Sequence, residues 1–283
     1  MKKILVPCDF SDEARQAFKF AKDIADANNG EIVVLKVIDL SLFFDNGVYA
    51  QPFYVSPATT LAELSEDAQK DFEKLIHEFP GSVPVKFLIE QGDLQQNILK
   101  TIEQKNIDLV VMGTKGATGL KEILIGSNTE KIVRTSPVPV FSVHHAMPLS
   151  KIKDIVFPTN LDLKQTRLIE KLKTLQAFFG ATVHLLFIHT SDEKIVEKET
   201  YTSLDNLARF YQLDNFTVNI RENSHLMNGI LKFASEFDYC TIAMATQGHK
   251  GLTHLFMGST AEDVANHGHE PIWTFMTGHD EQN

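Results

Sequence analysis

Two stretches of the chain carry residue types that can hold a phosphate. Met112-Gly113-Thr114-Lys115-Gly116 is followed, nine residues on, by Gly126-Ser127. Met244-Ala245-Thr246-Gln247-Gly248 is followed at the same interval by Gly258-Ser259, 132 positions downstream of the first set. Glycines let a backbone turn sharply and bring N–H groups up to an anion with no Cβ in the way. A helix opening at Gly126-Ser127 adds unpaired N–H donors and the positive end of its dipole. The hydroxyls of Ser127 and Thr129 can complete the cradle, and a side chain at Gly113 or Gly126 is expected to fill it. The competing explanation is turns that require positive φ. Neither Gly-x-x-x-x-Gly-Lys-[Ser/Thr] nor Gly-x-Gly-x-x-Gly occurs, which sets aside the ordinary NTPase and dinucleotide loops.

The elements that must position these residues alternate strand and helix. Ile4 to Asp9 is a short apolar run ending in a turn, a buried strand. Ser11 caps a helix with an acidic first turn, apolar positions from Ala14 to Ala25 at a period near 3.6, and a close at Asn28-Asn29-Gly30. Further strands are Ile32 to Ile38, Val85 to Glu90, Leu109 to Met112 and Val138 to Val143, with helices over Leu94 to Lys105 and from Gly126-Ser127 through Arg134. Residues 39–60, with Pro52 and Pro57, read as an irregular insert, a surface loop or lid. Strands that are continuously apolar and alternate with helices imply a parallel sheet covered on both faces. In such a doubly wound sheet the ligand crevice lies at the carboxyl ends of the strands where strand order reverses. Strands one and four are expected to flank it, placing Pro7-Cys8-Asp9 beside Met112-Gly113.

The same order then repeats. Ile155 to Asn160 matches Ile4 to Asp9, Asp162 stands as the next helix cap, and that helix ends at Gly180. Val183 to Ile188 and Val218 to Ile220 are the next strands, and Pro271-Ile272-Trp273 matches Pro139-Val140-Phe141. The chain is therefore a tandem duplication, α/β in class: two doubly wound domains, 1–146 and 151–278, each a five-stranded mostly parallel sheet with helices on both faces. The final strands, Val138–Val143 and Ile272–Phe275, would leave exposed sheet edges if unpartnered. A homodimer of the whole chain is left open.

Composition narrows the function classes. The 283 residues suffice for two domains, and 43% are apolar, as in globular proteins. Net charge is −10, shared equally by the halves, which argues against sequence-independent binding to nucleic acid or an anionic membrane. Cys8 and Cys240, one in each half, form no disulfide framework or metal spacing, so a reducing, cytoplasmic compartment is expected. The opening Met1 to Val6 is too short for a signal core, and no stretch reaches the ~20 apolar residues of a membrane span.

Gly113-x2-Gly116-x9-Gly126-Ser127, the flanking Met112 and Glu130 to Arg134, and the closing Pro137-Val138-Pro139-Val140 resemble the universal stress protein family, twice over along the chain. In that family the glycine motif marks members that bind ATP, and members commonly pair through their final strands, which implies that Val138–Val143 and Ile272–Phe275 join the halves as an internal pseudo-dimer. The resemblance implies that Asp9 lies by the adenosine and that the Val37 backbone meets the adenine edge. Gly113, Gly116, Gly126, Ser127 and Asn128 would surround ribose and phosphates, with Pro7, Cys8, Met112 and Thr129 completing the lining. Mg or Mn would accompany the phosphates. The second copy departs from this pattern: Ala245 replaces the first glycine, Asn160 stands for Asp9, Ser224-His225 for Gly92-Asp93, and Cys240 for Asp108. Its site is expected to be degenerate or repurposed.

Other residues carry less. The histidines of the second half, from His184 to His279, have no acidic or cysteine partner at ligand spacing. Cys8 reads as a small core residue more than a redox group, and the run from Asp192 to Glu199 as a solvated stretch. No paired acid and base with a nucleophile attaches to the glycine segment. The expected function is an ATP-binding stress-response sensor or adaptor, with an unknown downstream protein as partner. The alternatives are a slow ATPase or phosphotransferase, and a second domain that binds a different small molecule or metal.

Overall fold

In a computed structural model the described residues are 1–41, 56–114, 126–160, 166–189, 197–246 and 270–277. Residues Gly116, Asp162, Gly248 and Gly258-Ser259 lie outside them, as do His249, His254, His267, His269 and His279.

In the first half, β1 (Lys3–Pro7) leads into α1 (Asp12–Asn28), β2 (Glu31–Ile38), α2 (Pro57–Glu78), β3 (Val85–Gln91), α3 (Leu94–Lys105), β4 (Leu109–Gly113), α4 (Ser127–Thr135) and β5 (Val140–Val143). A single 3-10 turn at Leu149–Lys151 connects to the second half: β6 (Asp154–Pro158), α5 (Thr166–Phe179), β7 (Thr182–His189), α6 (Glu197–Phe210), β8 (Phe216–Glu222), α7 (Leu226–Ala234), β9 (Cys240–Thr246) and β10 (Ile272–Met276).

Local sequence explains the boundaries. The Ser11 hydroxyl accepts from the Ala14 N–H at the start of α1, and Asn29 closes that helix in the left-handed conformation at φ 49°. Asp93 caps α3 by accepting from the Gln96 N–H. One element departs from the sequence reading. Residues 57–60, assigned to the irregular insert, begin the 22-residue helix α2, with Ser56 as its cap and Pro57 in its first turn. Only Ala68 and Leu75 of α2 are fully buried, so its apolar pattern is thin. Its start signal was present all the same, because proline suits the first turn of a helix.

The ten strands of the described residues form one sheet, in the order β3-β2-β1-β4-β5-β10-β9-β6-β7-β8. Pairing is parallel within each half, and antiparallel only where β10 meets β5, with Trp273 opposite Phe141. Each half's last strand thus covers the other's edge, removing unpaired N–H and C=O groups from solvent. Across this seam the Thr246 hydroxyl donates to the Val133 carbonyl at 3.0 Å and the Thr274 hydroxyl to the Val140 carbonyl at 3.3 Å.

The core follows the same continuity. On one face a single cluster runs from Phe18, Phe20 and Phe141 through Trp273 and Phe275 to Leu172 and Leu185. On the other face the halves keep separate clusters, one around Leu5, Ile98 and Val110 and one around Val156, Phe233 and Ile242. No helix among the described residues is long and apolar enough to cross a membrane.

Candidate functional site

The crevice forms where strand order reverses. From β1 the chain moves to β2 on one side, while β4 and β5 lie on the other, so the carboxyl ends of β1 and β4 are neighbours. That is the position an open α/β sheet offers to a ligand.

Pro7 ends β1 with its side chain buried and is paired with Leu35. Cys8 follows, 5% exposed within the core, and its backbone N–H donates to the Leu35 carbonyl. Burial pushes the Cys8 thiol up to about 12, so it is a neutral core group. Asp9 is exposed, and its Oδ1 accepts from both the backbone N–H and the hydroxyl of Ser11, at 3.0 and 2.6 Å. The carboxylate is thereby held at the mouth of the crevice by the same serine that caps α1. Asp9 and Val37, with Phe10, Lys36, Asp67 and Asp71, line a cavity of about 310 Å³ between the ends of β1 and β2 and the helix α2.

On the β4 side, Met112 packs into the core at 5% exposure, and Gly113 is the last residue of the strand. The expected role of Gly113 changes here. A Cβ at this position would sit 2.8 Å from the Glu13 carbonyl carbon and 2.9 Å from its oxygen. The missing side chain makes room for the first turn of α1, and the backbone adopts no positive φ. A substituent would enter α1 rather than a phosphate cradle.

Gly126 supports the cradle expectation better. Its N–H donates to the Thr114 carbonyl at 2.6 Å, which brings the start of α4 to the end of β4. Its φ of −57° requires no glycine, so backbone conformation does not account for the residue. α4 has no side-chain cap at Gly126, whereas Ser11, Ser56 and Asp93 cap the other described helices of this half. Ser127 and Asn128 are exposed at this uncapped turn. Thr129 is buried and its hydroxyl donates to the Gly113 carbonyl at 2.8 Å, so it fastens α4 to β4. The structure therefore brings Asp9, Val37, Gly113, Gly126, Ser127 and Asn128 to one end of the first half, and turns the side chains of Pro7, Cys8, Met112 and Thr129 inward.

Sequence reasoning missed Asp67 and Asp71, the α2 carboxylates of the cavity, because it missed α2 itself. It also missed a polar cluster in the second half. His184 Nε2 lies 2.8 Å from Asp154 Oδ1, and its Nδ1 lies 2.7 Å from the Thr217 hydroxyl. The acidic partner, 30 positions away in sequence, is brought close by strand pairing. No group of three metal-ligating side chains occurs among the described residues.

Fold and crevice together define a class: a tandem, doubly wound α/β protein whose first half presents an uncapped helix start at its switch point. The chain belongs to the universal stress protein family, whose sequence profile matches residues 1–144 and again residues 151–275. Two universal stress proteins of Methanocaldococcus jannaschii are similar to it. One is 34% identical over 142 residues, spanning 50% of this chain and 81% of the relative. The other is 32% identical over 152 residues, spanning 50% of this chain and 94% of the relative. Over the whole chain, the fold is shared with a universal stress protein of Archaeoglobus fulgidus at a TM-score of 0.73 and 22% identity, covering 99% of this chain and 97% of that one.

Proposed function

We propose that the first half binds ATP at the crevice between the ends of β1, β2 and β4, and that the chain works as a nucleotide-dependent sensor or adaptor. The observation that carries this reading is the start of α4. Its N-cap residue, Gly126, brings neither a side-chain cap nor a Cβ to the first N–H groups, and at φ −57° no backbone requirement explains that glycine. An anion is the natural partner of such a terminus. Asp9 and the Val37 backbone, at the adjoining cavity, suit hydroxyls and a base edge rather than phosphates. The cavity's carboxylates, Asp9, Asp39, Asp67 and Asp71, oppose an anion there, so base and ribose enter the cavity and the phosphates lie toward α4.

The donor set fits a triphosphate bound by backbone N–H groups. A divalent ion, Mg or Mn, would be held chiefly by the phosphates, neutralising charge so that the tail can approach the acidic crevice. The chain's own residues supply binding and orientation: Ser127 and Asn128 at the phosphates, Asp9 at the sugar. Thr129 and Ser11 hold those elements in place. None of these is placed as a general base, which favours a sensor over a phosphotransferase.

Mass spectrometry of ligands retained by the purified protein, with a turnover assay in Mg, tests this directly. Retained ATP with negligible phosphate release is the expected result. An empty protein that fails to bind added ATP would refute the binding reading, and multiple turnover would replace the sensor with an enzyme.

A further inference from the structure

The two halves border a second cavity, a groove open to solvent of about 650 Å³, that shares no lining residue with the crevice at Asp9 and Val37. Its walls come from the last turns of α1, the connecting segment Pro148 to Ser150, Lys153, and the end of α5 at Phe178 and Phe179. The volume falls within the range of small-molecule sites, and the mixture of apolar walls with a few polar groups is of the kind such sites use.

The polar groups differ in what they already do. Asp26 is paired with Lys22 at 3.0 Å, and the Lys153 ammonium donates to the Phe179 carbonyl at 3.3 Å. Asp23 carries no such bond. Desolvation by burial raises its carboxyl from its ordinary value, and the opposite charges that act against this, Lys22 and Lys19, belong to its own helix. A carboxylate in that position gains from a cation that enters the cavity. Phe178 and Phe179 meet edge to face at 4.9 Å, and with Pro148 and Leu149 they provide an apolar wall.

We propose that this cavity is a binding site for a small organic cation with an apolar or aromatic body. Its ammonium group faces Asp23 and its body lies against Phe178 and Leu149. Such a ligand touches α1 of the first half and α5 of the second, so its binding ties the halves together at a place remote in composition from the glycine segment. The site is independent of ATP binding.

The test uses three probes of one shape, phenethylamine, 2-phenylethanol and 3-phenylpropanoate, titrated into the full chain while amide shifts are followed by NMR. Phenethylamine is expected to bind at least tenfold more tightly than the alcohol, with shifts at Asp23, Leu149 and Phe178. Asp23→Asn should remove that preference, whereas Asp26→Asn, whose carboxylate already has Lys22, should change it less than threefold. Phe178→Ala should weaken the amine and the alcohol alike. Equal affinity for amine and alcohol, a preference for the carboxylate probe, no binding of any probe, or an Asp23→Asn chain that keeps the amine preference would each overturn the proposal. Loss of ATP binding is not read in this experiment, so its outcome is separate from that of the nucleotide reading.

Discussion

The two halves share one topology and differ at the points where chemistry is set. At the end of β4 stands Gly113, pressed against the backbone of Glu13, while the equivalent Ala245 in β9 is 2% exposed and keeps its methyl within the core. At the start of β1, Lys3 and Lys86 clasp Glu31 at 3.2 and 2.9 Å. The corresponding sites on β6, β7 and β8 hold Asp154, Thr182 and Thr217, and Asp154 and Thr217 instead bond His184, which stands where the first half has Val33. Asp108 accepts from the backbone N–H groups of Lys2 and Lys3, where its counterpart Cys240 is buried and donates to the Ala234 carbonyl. Duplication kept the hydrophobic lattice that the sheet requires and let the polar positions diverge. A glycine motif can therefore decay in one copy for packing reasons as well as ligand reasons, and Gly113 against Ala245 is such a pair.

The largest expected effect lies at that pair. Gly113→Ala places a methyl against a helix backbone that cannot yield cheaply, and should destabilise the chain by about 1–3 kcal/mol in chemical denaturation, with Gly113→Val costing more. Ala245→Gly opens no clash and should cost about 1 kcal/mol, from a lost methyl and added chain entropy. Equal and small losses would break the packing explanation of the first glycine.

A smaller effect is expected at the seam that joins the halves. Thr246→Val removes the hydroxyl that bonds the buried Val133 carbonyl, at a cost of about 1–2 kcal/mol. Unfolding should remain a single transition, since the core on one face is continuous. Two separated transitions in this variant or in the parent would show that the halves fold independently.

The smallest sharpens the contrast between helix starts. Asp93 caps α3, but its counterpart His225 makes no side-chain cap bond to α7 despite an extended backbone at φ −132°. His225→Asp should stabilise by about 0.5–1 kcal/mol, read as a raised denaturation midpoint. No change would mean that the α7 start already has its donors satisfied.

Much of this was legible in sequence because it rests on periodicity. The parallel strands, the cap at Ser11 and the repeat follow from apolar runs and capping residues, while the pairing of last strands came from the family resemblance. The helix α2 was lost because only two of its side chains are fully buried, so tertiary contacts rather than pattern define it. The role of Gly113 was also hidden, since close approach of two backbones leaves the same signature as close approach of a phosphate. The His184 cluster depends on the register of three strands, which no local spacing encodes.

Gly126 separates fold from ligand most cleanly, because its φ of −57° admits any residue. Gly126→Val should leave the denaturation midpoint within about 1 kcal/mol of the parent's while a side chain obstructs the uncapped start of α4. Calorimetric titration with MgATP, run on the parent, on Gly126→Val and on Gly258→Val, is the most direct test. The expected result is one site per chain, weakened at least tenfold by Gly126→Val and nearly unchanged by Gly258→Val. Two equal sites per chain, or equal losses from the two substitutions, would contradict a nucleotide site confined to the first half.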